Sequence, residues 1–105
     1  MKIIKSFPEE LTKRDAFKLT EAPASKKLMD LAGSIIEPTR WVLGEDEDKT
    51  VLALEVDGEI YSTISGTFID AFVKAFDALG ADMFPVKVVA GTSKANRPYL
   101  LCELA

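Results

Sequence analysis

Two periods of apolar and polar positions alternate along this chain, and the switches between them mark its elements. Residues 50–56 alternate: Leu52, Leu54 and Val56 share one face, and Ala53 and Glu55 the other, the pattern of a half-buried strand. Asp57-Gly58 is a strong two-residue hairpin signal. It leads into residues 59–65, where Ile60, Ser62 and Ile64 alternate with Tyr61, Thr63 and Ser65. The period then changes to 3.6. Phe68, Ile69, Phe72, Val73, Phe76 and Leu79 fall on one side of a helix predicted over residues 67–79, with Asp70, Lys74 and Asp77 largely away from it. Ser65 or Thr67 can cap its start, Thr67 and Asp70 form a weak capping box, and Gly80 suits the turn after its end. Strand alternation returns over residues 84–90 and again over 99–104, where Leu100, Cys102 and Leu104 alternate with Tyr99, Leu101 and Glu103.

Upstream the pattern is less regular. Residues 35–43 read as a strand that Pro38 interrupts with a bulge or an edge position, and residues 44–49 as a turn. Residues 1–15 read as an N-terminal arm with a helical turn over 8–13, because proline followed by acids suits a helix start. Residues 16–20 read as a short extended piece, residues 26–31 fit either a strand or a short helix, and Gly33 marks a turn.

Three strand-like runs, a helix and two further runs give a mainly β domain. The order is that of a five-stranded oligonucleotide-binding (OB-fold-like) barrel with one helix between strands 3 and 4. An open antiparallel sheet packed by one helix is the alternative. In the barrel plan, the loop between strands 4 and 5 is one of two that grip ligand. Here that loop is Gly91-Thr92-Ser93-Lys94-Ala95-Asn96-Arg97-Pro98.

Composition narrows the function. A chain of 105 residues suits one domain. A net charge of −4 argues against a generally basic nucleic-acid coat, but leaves room for a local basic patch. The chain has no histidine, which removes the commonest general base and metal ligand. Its one cysteine, Cys102, lies in an apolar run and reads as a core residue in a reducing, cytoplasmic setting. No apolar run is long enough to span a membrane, and the N-terminus does not read as a secretory signal. No Cys–His pair, phosphate-binding glycine loop or metal-ligand spacing is present, so neither catalysis nor a cofactor or metal is expected.

The basic loop is the best candidate site. Lys94 and Arg97 can pair with phosphates, and Tyr99 can stack a base. An ordinary solvated hairpin loop has the same composition. Trp41 and Tyr61 lie on strands and, if they face outward with Tyr99, would extend a stacking platform, while Lys87 and Lys49 would extend a positive track. Phe17 and Phe84 are expected in the core. The acidic run Glu45-Asp46-Glu47-Asp48 occupies the other ligand-gripping loop of the barrel plan, where it repels phosphate. It does not match a calcium hand.

Two stretches carry a resemblance. They are Tyr61-Ser62-Thr63-Ile64-Ser65-Gly66-Thr67-Phe68-Ile69-Asp70-Ala71-Phe72 and Gly91-Thr92-Ser93-Lys94-Ala95-Asn96-Arg97-Pro98-Tyr99-Leu100. With the opening Ile3-Ile4-Lys5-Ser6-Phe7 and Phe17-Lys18-Leu19-Thr20, the chain resembles small early-type proteins of phages and mobile elements of Gram-positive bacteria, which are single-stranded-DNA-binding-like. The resemblance implies a single-stranded DNA or RNA partner in replication or recombination within a bacterial host cell, with ligand contact at Lys94 and Arg97. Asn96 stands where a glycine is expected, and asparagine tolerates the left-handed region. The sequence ends Leu104-Ala105 and not in the acidic tail by which many such proteins recruit partners, so recruitment of that kind is not expected. The competing expectation is a protein-interaction or assembly module without nucleic-acid binding, using exposed apolar strand faces in a homo-oligomer.

Overall fold

The structure is a computed structural model that describes residues 2–8, 10–21 and 26–105, without the side chains at positions 21 and 46. It is mainly β, with two sheets and two helices. The strands are β1 (Lys2–Phe7), β2 (Lys26–Lys27), β3 (Ile35–Ile36), β4 (Arg40–Asp46), β5 (Lys49–Val56), β6 (Glu59–Thr63), β7 (Val86–Thr92) and β8 (Pro98–Leu104). The helices are α1 (Lys13–Glu21) and α2 (Gly66–Leu79). The chain divides into two compact units, Met1–Leu28 with Pro38–Ile64, and Met29–Glu37 with Ser65–Ala105.

The expected closed five-stranded barrel is not formed. The strands fall into a sheet of order β1-β4-β5-β6-β2 and a separate sheet of order β3-β7-β8. Pro38 is the physical reason for one departure. The run at 35–43, expected as a single strand, is cut at Glu37-Pro38-Thr39, so β3 pairs with β7 while β4 pairs with β1 and β5.

In the first unit, β4 and β5 pair through Asp46↔Lys49, so only Glu47-Asp48 turns where residues 44–49 were expected to. Glu47 takes a φ of 54° there. The Asp57-Gly58 hairpin forms as expected, with φ of 51° and 80° at the two positions, both in the positive region that this tight turn requires. The N-terminal arm is a strand. β1 pairs along the edge of β4, and its register shifts between Ile3 and Lys5. That bulge, with Lys2 and Lys5 on the edge strand, disfavours pairing with another chain.

Residues 16–20, expected to be extended, lie in α1. Thr12 starts this helix: its Oγ1 accepts the Asp15 N–H at 3.1 Å, and its carbonyl accepts the Ala16 N–H at 2.9 Å. The expected helical turn at 8–13 includes Glu9, outside the described residues; Leu11 N–H does bond the Pro8 carbonyl at 3.0 Å. Residues 26–31 divide between the short β2 and one 3₁₀ turn, Leu28–Leu31.

Ala16 and Leu19 of α1 pack on Val42 and Ala53 of the sheet, joined by Ile3, Leu11 and Ile60. The other sheet face carries the row Phe7, Trp41, Leu54 and Tyr61 across four strands. Trp41 and Leu54 are fully buried, and Trp41 stacks on Phe7 at 6.4 Å. Burial on both faces explains the unbroken apolar runs Trp41-Val42-Leu43 and Leu52-Ala53-Leu54. Phe17, expected in the core, is 42% exposed, because Ala16 and Leu19 take the inward positions of α1.

An ion pair closes one end of β4 and β5. Arg40 Nε donates to Glu55 Oε1 at 3.1 Å, its Nη2 donates to Oε2, and Thr39 Oγ1 donates to Oε1 at 3.0 Å. These bonds, that from Arg40 first, hold the Glu55 carboxyl below its usual range, while partial burial pushes the other way. A carboxyl whose pKa is lowered by folding stabilises above its unfolded value, about 4.3, and loses that contribution as pH falls through the folded value. Thermal melts from pH 7 to pH 3 should therefore show a gap between wild type and Glu55→Gln that shrinks below about pH 4.

In the second unit, Phe68, Ile69 and Phe72 of α2 are buried. Phe72 packs against Phe68 at 6.0 Å and Phe84 at 5.9 Å, and Phe84 itself is partly buried. The expected capping of α2 by Ser65 or Thr67 does not occur through their side chains. Their hydroxyls turn to the outer edge of β8 instead. Thr67 Oγ1 donates to the Leu100 carbonyl at 2.6 Å, and Leu100 N–H donates to Ser65 Oγ at 3.3 Å. The two side chains thus satisfy edge-strand groups that would otherwise meet water or another chain.

Candidate nucleic-acid interface

The loop between β7 and β8 is a short, hydrogen-bonded turn. Asn96 N–H donates to the Ser93 carbonyl at 2.9 Å, and Ser93 N–H to the Arg97 carbonyl at 2.9 Å. Arg97 N–H also donates to Ser93 Oγ at 3.2 Å. Asn96 has a φ of 60°, the left-handed position that closes a three-residue hairpin loop. Lys94 and Arg97 flank this turn, both are exposed, and neither side chain joins an ion pair among the described residues.

Tyr99 pairs across the hairpin with Gly91. A Cβ placed on Gly91 would lie 2.5 Å from Tyr99 Cζ and 2.6 Å from its hydroxyl oxygen, so the ring lies over the glycine. The residue stays partly exposed. Glycine here permits a close aromatic approach, and the ring in turn covers a strand position with no side chain of its own. The loop's hydrogen bonds and this contact order the backbone that carries one aromatic and two exposed cations at one hairpin end. That arrangement can bind a phosphate backbone and offer one ring to a base.

The other sequence candidates lie elsewhere in the sequence of elements. Trp41 is fully buried, so it has no surface for a base. Its row across β1, β4, β5 and β6 is a packing row, so the outward orientation on which a stacking role for Trp41 depended is not the one observed. Tyr61 is 9% exposed, and its hydroxyl donates to Glu59 Oε2 at 3.1 Å. Glu59 also accepts from Lys26 Nζ at 2.7 Å, which lowers its pKa; this network holds β2 beside β6. Lys49 is exposed at the start of β5, in the first unit. Lys87 is exposed on β7, opposite Glu103, about 17 Å along the strand from the end of β7 at Thr92, five residues on. The expected stacking platform of three rings is therefore reduced to Tyr99.

The acidic run lies at the β4–β5 turn in the first unit. No group of three or more potential metal ligands stands together among the described residues. Burial first, and then the Glu103 charge, pushes the Cys102 thiol up to about 11, so it is a poor nucleophile near neutral pH.

Sequence reasoning missed the Gly91–Tyr99 pair. Its signal was the symmetry of the hairpin: counting outward from Ala95, residues 91 and 99, 89 and 101, and 87 and 103 are equidistant, and these are the pairs formed. No known family model, curated protein or solved structure matches the chain.

Proposed function

We propose that this chain is a non-catalytic single-stranded nucleic-acid-binding protein that holds its ligand at the β7–β8 hairpin. One observation carries the reading: two exposed cations without ion-pair partners among the described residues flank a fixed turn, beside an aromatic ring seated on a glycine. Lys94 and Arg97 contact phosphates, and Tyr99 stacks one base. From the OB plan the reading keeps the ligand loop between the two strands that follow the helix, without the closed barrel. Work in phage or mobile-element DNA metabolism, in the cytoplasm of a bacterial host, rests on the sequence resemblance alone. Among the described residues, no helix is long and apolar enough to cross a membrane.

Binding of this kind releases counterions. Two phosphate contacts give a slope of about −1.4 in log affinity against log salt for single strands. Titration of labelled DNA and RNA oligonucleotides across salt concentrations should show this slope, with single strands bound more tightly than duplex. Lys94→Ala with Arg97→Ala should abolish most of the salt dependence. Tyr99→Leu should weaken binding by about 1–3 kcal/mol with the slope unchanged. No measurable binding at low salt would sink the proposal and favour the interaction module. That second reading is supported by Ile35 and Ile64, each 63% exposed.

A further inference from the structure

The three-stranded sheet has one face occupied and one open. Register sorts its residues. Val86, Val88, Leu100 and Cys102 point to the face that carries the buried positions, with Val86, Val88 and Leu100 at 2% exposure or less. Ile35, Lys87, Val89, Gly91, Tyr99, Leu101 and Glu103 point to the other. There Ile35 is 63% exposed, and Val89, Leu101 and Tyr99 are partly exposed. A water-facing sheet face ordinarily carries polar residues, yet the middle row of this one is Val89 and Leu101.

We infer that this open face binds a second copy of the chain, about a two-fold axis that runs parallel to β7 and β8 and passes between them. The warrant is self-complementarity. Three cross-strand pairs lie on the face: Lys87 with Glu103, Val89 with Leu101, and Gly91 with Tyr99. In each row β7 and β8 hold unlike partners: cation and anion, medium and large apolar, smallest residue and aromatic. Half a turn about that axis lays β7 of one copy over β8 of the other. Lys87 then meets Glu103 of the second copy and Val89 meets Leu101, while each Tyr99 ring stays over its own Gly91 at the rim. Neither Lys87 nor Glu103 joins an ion pair among the described residues, so both are available for this exchange. Any axis across the strands would lose this matching.

Packed sheets keep their strands within about 30° of each other, which this axis allows. The contact centres on the Val89–Leu101 row, and the Tyr99 row is its rim. Because the axis follows the strands, both hairpin tips emerge at the same end, doubling the cations there from two to four. The inference does not rest on nucleic-acid binding, since no residue at its centre is a proposed ligand contact.

The face is small. Two seven-residue strands overlap over about 24 by 10 Å, well below the roughly 800 Å² per partner of a standard complex. The dimer is therefore weak, with a dissociation constant on the order of 10–1,000 µM. Sedimentation of the full chain from about 10 µM to 1 mM should show a monomer–dimer equilibrium. Lys87→Glu and Glu103→Lys should each weaken it about tenfold or more by opposing like charges, and the double exchange should restore it. Val89→Thr, which keeps the shape and adds a hydroxyl, should also weaken it and serves if a charge reversal disturbs folding, as judged by circular dichroism. A wild-type chain that stays monomeric throughout, a dimer indifferent to these changes, a double exchange that fails to restore it, or an assembly larger than a dimer would each overturn the inference.

Discussion

Replacing Trp41 with alanine is expected to destabilise the protein by about 3–5 kcal/mol, the range for truncating a fully buried large aromatic. The ring is entirely removed from solvent and stacks on Phe7 at an interplanar angle of 13°. It lies on β4, between β1 and β5 in the sheet, so truncation opens a cavity that neighbouring strands cannot easily close. A domain of this size has a total stability of roughly 5–15 kcal/mol, so the variant should melt far lower or fail to fold. Each kcal/mol corresponds to about 4–8 °C in melting temperature. Trp41→Phe should retain much of the packing. Trp41→Leu, which removes the ring but keeps an apolar side chain, should leave the oligonucleotide affinity of the folded protein unchanged, whereas loss of a stacking ring would cost about 1–3 kcal/mol of binding. Melting and binding curves on this one variant separate a packing role from a ligand role.

Phe72→Ala should be comparably severe in the second unit, at about 3–5 kcal/mol. Phe72 is fully buried and contacts two other rings, Phe68 and Phe84, so its loss removes two aromatic contacts together with its burial. Phe17→Ala is the control. Phe17 is also a helical phenylalanine, but it is 42% exposed, and its truncation should fall within about 1 kcal/mol. A chemical-denaturation series on the two variants tests the assignment. Similar losses would mean that the buried stripe of α2 is not the core described.

Local signals made α2, the Asp57-Gly58 hairpin and the last two strands legible. Each has a complete apolar period or a dipeptide with a defined turn geometry. The grouping of strands was not legible, because it depends on partners distant in the chain. Nothing near Pro38 indicates that β3 will pair with residues some fifty positions later, while β4 joins a different sheet. Helix α1 was missed because only Ala16 and Leu19 of its residues are buried, too few to display a helical period. Its readable signal was Thr12 followed by Asp15, a capping pattern at the other end of the segment.

The candidate site divides in the same way. Lys94, Arg97 and the left-handed Asn96 could be read from a polar loop between two strands. Whether Trp41 and Tyr61 faced outward could not, because alternation assigns a residue to a face without saying what covers that face. Both faces of β4 and β5 are covered, so the ring with the largest stacking surface belongs to the core.

On the proposed function, ligand contact is confined to the β7–β8 hairpin. Amide chemical shifts followed during titration of a single-stranded oligonucleotide at low salt test it most directly. The expected result is perturbation centred on residues 93–99 that disappears in the Lys94→Ala, Arg97→Ala variant, with the Trp41 indole signal unmoved. No perturbation at saturating oligonucleotide, or one centred on Trp41, Tyr61 and Lys49 in the first unit, would contradict it.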